Sequence, residues 1–207
     1  MDVGPERTGR LFTPQLLPLA LVVTALASPA AAQPDSRPAA QPDALAEASA
    51  ELRSLYQADQ ADRSSAPSDP EGWRAISERD RQRRERVLEL LRSDRVHSAD
   101  DLYHAAMVLQ HGESAEDVLL AHILATAAGF QGHENGRWLS AAALDRYLHR
   151  TDQPQRLGTQ YVKDSPDEPW SQGAYERWLP DSLRELYGVP PLAEQEKQVE
   201  EMNGGSR

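Results

Sequence analysis

The chain has 207 residues, a formal net charge of -11 and no cysteine. Without thiols there is no disulfide, no thiolate nucleophile, no cysteine-ligated metal and no lipid-modified N-terminal cysteine. An acidic chain is repelled by phosphate groups, which argues against a nucleic-acid partner and against an anionic membrane surface.

Residues 1–32 have the pattern of a secretory signal peptide. Arg7 and Arg10 precede an uncharged stretch, Leu11 to Ala32, that is densest in apolar residues over Leu16–Ala27. Ala30-Ala31-Ala32 before Gln33 suits cleavage. Leu11–Ala32 is also just long enough for an uncleaved membrane anchor. Pro14, Pro18 and the Ala-x-Ala ending favour cleavage. The expectation is an exported soluble protein, periplasmic or secreted, with no membrane attachment afterwards. Residues 33–43 are rich in Pro and Ala and lack apolar periodicity, which predicts a disordered linker. Residues 44–203 are expected to form one helical domain, and 204–207 a disordered tail.

Leu45, Ala48, Leu52, Leu55 and Tyr56 share one face of a helix expected from Ala44 to about Ala58. Ser64 to Ser68 breaks the chain. Asp69-Pro70-Glu71 has the chemistry of a helix start: a capping acid, Pro at the first position, and a second acid near the positive end of the dipole. The helix it opens is expected over 71–93. Within it, Glu78 to Arg86 carries five Arg against three acids. This is either a basic patch or a solvated face with internal ion pairs such as Asp80 with Arg84. The acidity of the whole chain favours the second.

Ser98-x-x-Asp101 and Ser114-x-x-Asp117 are capping-box starts with Asp in the place of Glu. The first helix is expected to reach about His111 and stop at Gly112; the second ends at Gly129. A third, from about Glu134 to Arg150, is expected to turn Trp138, Leu139, Ala142, Ala143, Tyr147 and Leu148 toward the core. Alanines at the contact positions let helix axes approach closely, which predicts a tight antiparallel bundle.

The helical period is lost after Arg150. Leu157–Val162 and Glu168–Tyr175 could pair around Lys163–Asp167 as a small β-hairpin. A short helix, Ser182–Tyr187, and a charged one, Leu192 to about Met202, follow. The fold class expected is mainly α: a compact helical bundle with a long loop or small β-hairpin near the C-terminal third.

Several polar elements follow one another along the chain: Asp59-Gln60 with Asp62-Arg63, Gln110-His111, Trp138-Leu139 with Asp145-Arg146, and Gln155-x-x-Gly158-Thr159-Gln160. In this order the chain resembles a bacterial family of exported proteins of unknown function over about 45–203. That resemblance implies a mostly helical secreted domain and no established activity. A weaker similarity joins Ala106-x-x-Leu109-x-x-Gly112, Asp117, Ala121, Ala127-Ala128 and Gly132 to a Sel1-like helical repeat, a type that binds other proteins. One copy is visible where stacking needs about three, and Gln110-His111 departs from the pattern.

The candidate chemistry lies in the same residues. His104 and His111, seven apart, share a helix face, but standard zinc pairs are closer, and no metal site is assigned. No phosphate loop, nucleophile elbow or dinucleotide fingerprint occurs, and no cofactor is implied. His111 at a helix C-terminus suits a structural cap or a general acid. Asp145 and Arg146 point about 100° apart and need separate partners, with His111 or the Gln155–Gln160 loop the candidates for the buried one. Two readings follow. In the first, the domain binds an envelope protein or a small ligand, with Gln110, Arg146, Gln155, Thr159 and Gln160 as binding residues. In the second it is a hydrolase, with His111 as acid/base, Asp145 as its orienting carboxylate, and Gln155 and Gln160 holding substrate.

Overall fold

The computed structural model describes residues 41–65, 67, 69–163, 165 and 167–204. The expected signal peptide, residues 33–40 of the expected linker and residues 205–207 of the expected tail lie outside the described residues. The described chain is mainly α. Seven helices pack together: α1 Pro42–Ser64, α2 Pro70–Arg92, α3 Ala99–Leu109, α4 Ala115–Phe130, α5 Gly136–Arg150, α6 Asp181–Leu186 and α7 Leu192–Met202. Among the described residues, no helix is long and apolar enough to cross a membrane.

Local chemistry sets most of the boundaries. Pro42 and Pro70 stand in the first turns of α1 and α2, where a missing N–H costs nothing. Asp69 accepts from the Gly72 amide at 2.8 Å. Both capping boxes form: Ser98 with Asp101 at α3, and Ser114 with Asp117 at α4. α1 overruns its expected end at Ala58, and the reason is tertiary. Its last turns carry Asp62 and Arg63, which face α2. Asp62 pairs with Arg79 and Arg83, and Arg63 with Asp80 at 2.7 Å. The arginine-rich run is thus mostly consumed in ion pairs, although the expected Asp80–Arg84 pair is replaced. Asp80 is shared by Arg63 and Arg83, and Arg84 lies 3.5 Å from Asp117.

The main core joins Leu52 of α1, Val87 and Leu90 of α2, Leu109 of α3, Val118 of α4 and Leu139 of α5 around alanines 105, 106, 121, 125, 128 and 143. A leucine as buried as Leu52 (0% exposed) contributes roughly 1.5–3 kcal/mol. Trp138 departs from its expected place: it is 43% exposed. Leu139, Ala142 and Ala143 hold the inward face of α5, and Trp138 sits about 100° around the helix from its neighbour Leu139. Gly129 does not end α4. It and Gly136 let α4 and α5 cross closely: a Cβ on Gly136 would stand 2.5 Å from the Gly129 nitrogen.

The expected β-hairpin is reduced to two isolated bridges, Val162 with Ser171 and Gln155 with Tyr175. Pro154 and Pro169 remove ladder donors, and Gly158 and Gly173 take φ of +84° and +59°, so pairing cannot propagate. The segment is a long loop over a small second core of Ala141, Leu157 and Val189. Buried Arg184 of α6 donates to the Tyr175 hydroxyl at 2.9 Å, and buried Gln195 of α7 donates to Leu157 O at 2.9 Å.

Candidate functional site

The C-terminal loop is set first, by Asp145. This carboxylate on α5 is fully buried, and the loop backbone supplies its donors. The amides of Arg156 (2.7 Å), Leu157 (3.1 Å) and Thr159 (3.0 Å) and the Thr159 hydroxyl (2.9 Å) all donate to it. Amides aimed at one acceptor form a small anion nest, which is why a buried carboxylate is tolerated here. Gln155, also buried, closes the loop from within. Its side chain accepts from the Gln160 amide at 3.0 Å and donates to the Gln160 carbonyl at 3.0 Å. Gly158 permits the turn with its positive φ and because a Cβ there would meet Gln195 Oε1 at 2.0 Å.

The Gln160 side chain then carries the loop's position to Arg146. Its amide donates to Ala142 O (3.1 Å) and Thr159 Oγ1 (3.0 Å), and its Oε1 accepts from Arg146 Nε at 3.1 Å. Arg146 Nη1 donates to the Gln110 carbonyl at 3.1 Å, at the C-cap of α3. Adjacent on α5, Asp145 and Arg146 therefore serve opposite directions, the one the loop and the other the α3 end.

His111 follows Gln110. Its expected carboxylate partner, Asp145, is taken up by the loop; the partner is Asp59 of α1, with Nδ1 3.0 Å from Oδ1. Asp59 is fully buried and also accepts from Gln60 (2.9 Å) and Arg63 (3.4 Å). The overrun of α1 brings it there.

Gln110, His111, Arg146 and Gln160 line one open cavity of about 320 Å³. Trp73, Ile76 and Asp80 of α2, Arg63 of α1, and His149 and Arg150 of α5 complete its walls with Ser77 and Val162. Four of the anticipated residues therefore meet at the cavity. Asp145, Gln155 and Thr159 stand behind it and hold the loop. Burial pushes the Arg146 guanidinium down in pKa, and the positive charges of Arg150 and Arg63 push it the same way. Arg150 is also pushed down, chiefly by burial, with Asp117 and Glu113 opposing. Arg63, Trp73, Asp80 and Arg150 in the lining, and Asp59 behind His111, carry no site role in the sequence reading. The Asp59–Arg63 spacing of one helical turn was the available signal.

His104 does not join His111. Its ring stacks on Tyr56, with centroids 4.6 Å apart, its Nδ1 is buried without a hydrogen-bond partner among the described residues, and burial pushes its pKa down. Among the described residues, no group of three or more His, Asp or Glu is placed to hold a metal ion. The fold and cavity define a helical domain with an arginine-lined concave site that also has an apolar wall. No family model, curated protein or solved structure matches the chain.

Proposed function

We propose that this is an exported helical domain that binds a small ligand in the cavity between α2, α5 and the Gln155–Gln160 loop. The observation that carries the reading is the convergence of Gln110, His111, Arg146 and Gln160 on one open cavity of about 320 Å³. The side chains behind them are buried and bonded: Asp59 behind His111, Asp145 and Gln155 behind the loop. Buried polar groups cost stability unless fully paired, so a pre-ordered polar wall around an open space is the arrangement expected of a binding site. The concave form favours a small ligand over an envelope protein as the occupant. Export is proposed from the charge and apolar pattern of residues 1–32.

A fragment screen by ligand-observed NMR tests this, comparing wild type with Ser77→Trp. Ser77 lines the cavity, is exposed and lies outside the polar network, so the indole fills space without breaking contacts. Fragments should bind wild type and be lost from Ser77→Trp at unchanged thermal stability. Fragments that bind both forms equally would place binding elsewhere.

The His111–Asp59 contact supports a second reading, a hydrolase. With Nδ1 committed to Asp59, Nε2 is the ring nitrogen left to take a proton from water, and Asp59 takes the orienting role expected of Asp145. Ester hydrolysis that falls in both His111→Gln and Asp59→Asn would support it. A wild type without turnover on an ester panel would remove it.

A further inference from the structure

We infer that the ligand is an organic oxyanion, a carboxylate or phosphate on an apolar or ring body, held by Arg146, Arg150 and Arg63. This rests on the binding reading above and adds the chemical class of the ligand.

The inference comes from the charges around the cavity. Three guanidiniums line it against one carboxylate, Asp80, which Arg63 and Arg83 already share. Arg146 forms no ion pair among the described residues. Both of its hydrogen bonds go to neutral oxygens, Gln160 Oε1 and Gln110 O, and the charges that act on it are those of Arg150 and Arg63, of its own sign. Arg150 donates to two carbonyls, Gly112 O and Ser114 O, and Asp117 and Glu113 act on it only from outside ion-pair distance. Arg63 spends one terminal nitrogen on Asp80 and Asp59, while its Nη1 is buried with no hydrogen-bond partner among the described residues.

Arg146, a guanidinium withdrawn from solvent without a counter-charge, is costly, and the like charges of Arg150 and Arg63 add repulsion. In a chain of net charge -11, acidic side chains are plentiful, yet Asp145 is turned to the loop and Asp59 and Asp80 pair with Arg63, so that Arg146 and Arg150 are left without an ion pair among the described residues. An oxyanion in the cavity supplies the missing counter-charge. The planar fork of Arg matches carboxylate and phosphate oxygens. Trp73, Ile76 and Val162 give the same cavity an apolar wall, which a bare inorganic ion would leave unused. The size suits a small organic molecule.

The test is titration calorimetry on the purified protein with four probes: benzoate, phenyl phosphate, neutral benzamide and inorganic phosphate. Benzoate or phenyl phosphate should bind about tenfold or more tightly than both benzamide and inorganic phosphate, and the preferred one identifies the headgroup. Binding should fall about tenfold in Arg150→Gln and further in Arg146→Met, with thermal melts run beside the titrations because Arg150→Gln also removes the bonds to Gly112 O and Ser114 O. Benzamide binding as tightly as benzoate would overturn the oxyanion assignment and leave the small-ligand reading standing. Inorganic phosphate binding as tightly as phenyl phosphate would overturn the organic body. Anion binding unchanged in Arg150→Gln and in Ser77→Trp would place the anion elsewhere and overturn the site. If no probe binds while fragments still distinguish wild type from Ser77→Trp, the oxyanion inference fails alone. If the fragments fail too, both fail.

Discussion

Asp59 and His111 lie 52 residues apart in the chain, and their side chains meet at 3.0 Å. The contact ties the last turns of α1 to the end of α3. A carboxylate can only accept, so Nδ1 carries the proton in this contact and Nε2 is the nitrogen left for the cavity. Asp59→Ala would leave the ring and one face of Arg63 without a partner beside a small void. The expected loss is about 2–4 kcal/mol in urea unfolding, with a smaller loss for the isosteric Asp59→Asn. An Ala variant as stable as wild type would mean the contact does not hold the two helices together.

Asp145 makes a separable prediction, because its partners lie in the loop. Asp145→Ala would leave the amides of Arg156, Leu157 and Thr159 without their acceptor. The expected cost is about 3–5 kcal/mol, since one partner of a buried charged network has been removed. The loop should also become a protease target between residues 153 and 163, while cleavage within α3 and α4 stays at the wild-type level. Limited proteolysis with mass analysis reads this directly. A variant cleaved uniformly along the chain would show that Asp145 supports the whole fold and not the loop alone.

The helix starts were legible in the sequence because they depend on neighbours three residues apart. Ser98 and Asp101, or Ser114 and Asp117, need no information from elsewhere in the chain. Gln110, His111, Arg146 and Gln160 were legible as polar residues out of place on apolar or turn-rich segments, and all four reach the cavity. Partnerships were not legible. Whether Asp145 faces His111 or the loop depends on how far α1 extends, and that depends on ion pairs with α2. Asp80 reads as a member of a solvated charged face, which most such residues are, and Arg63 lies past the helix end expected at Ala58. Trp138 is expected in the core with Leu139, yet its place beside Leu139 turns it aside.

The α4–α5 crossing gives a prediction about backbone approach. A Cβ on Gly136 would lie 2.5 Å from Gly129 N, 2.8 Å from Gly129 Cα and 3.0 Å from Ala125 O. All three are backbone atoms, which cannot rotate away, so the helices must separate. Gly136→Ala should cost about 1–3 kcal/mol despite the better helix propensity of Ala. At Gly129 the nearest atoms are Arg137 Cγ at 3.2 Å and Arg137 N at 3.3 Å, so Gly129→Ala should cost less. Thermal melts of the two variants compare them. A Gly136→Ala variant that melts at or above wild type would show that the crossing has room to spare.

Asp62 sets an acid limit on the α1–α2 pair. Hydrogen bonds from Arg79, and secondarily from Arg83, hold its carboxyl at about 2, below its ordinary value of 3.8. A depressed folded value means the unfolded chain takes up the proton first as pH falls. The stabilisation is therefore fully present above about 4 and is lost progressively as pH drops toward 2. Urea midpoints measured between pH 6 and pH 2 should fall for wild type across that window. Asp62→Asn should start lower at pH 6, because it lacks the ion pairs, and should fall less steeply through the same window. Parallel curves for the two proteins would assign the acid sensitivity to other carboxylates. A variant equal to wild type at pH 6 would show that the Asp62 pairs with Arg79 and Arg83 are too screened by solvent to stabilise the helix pair.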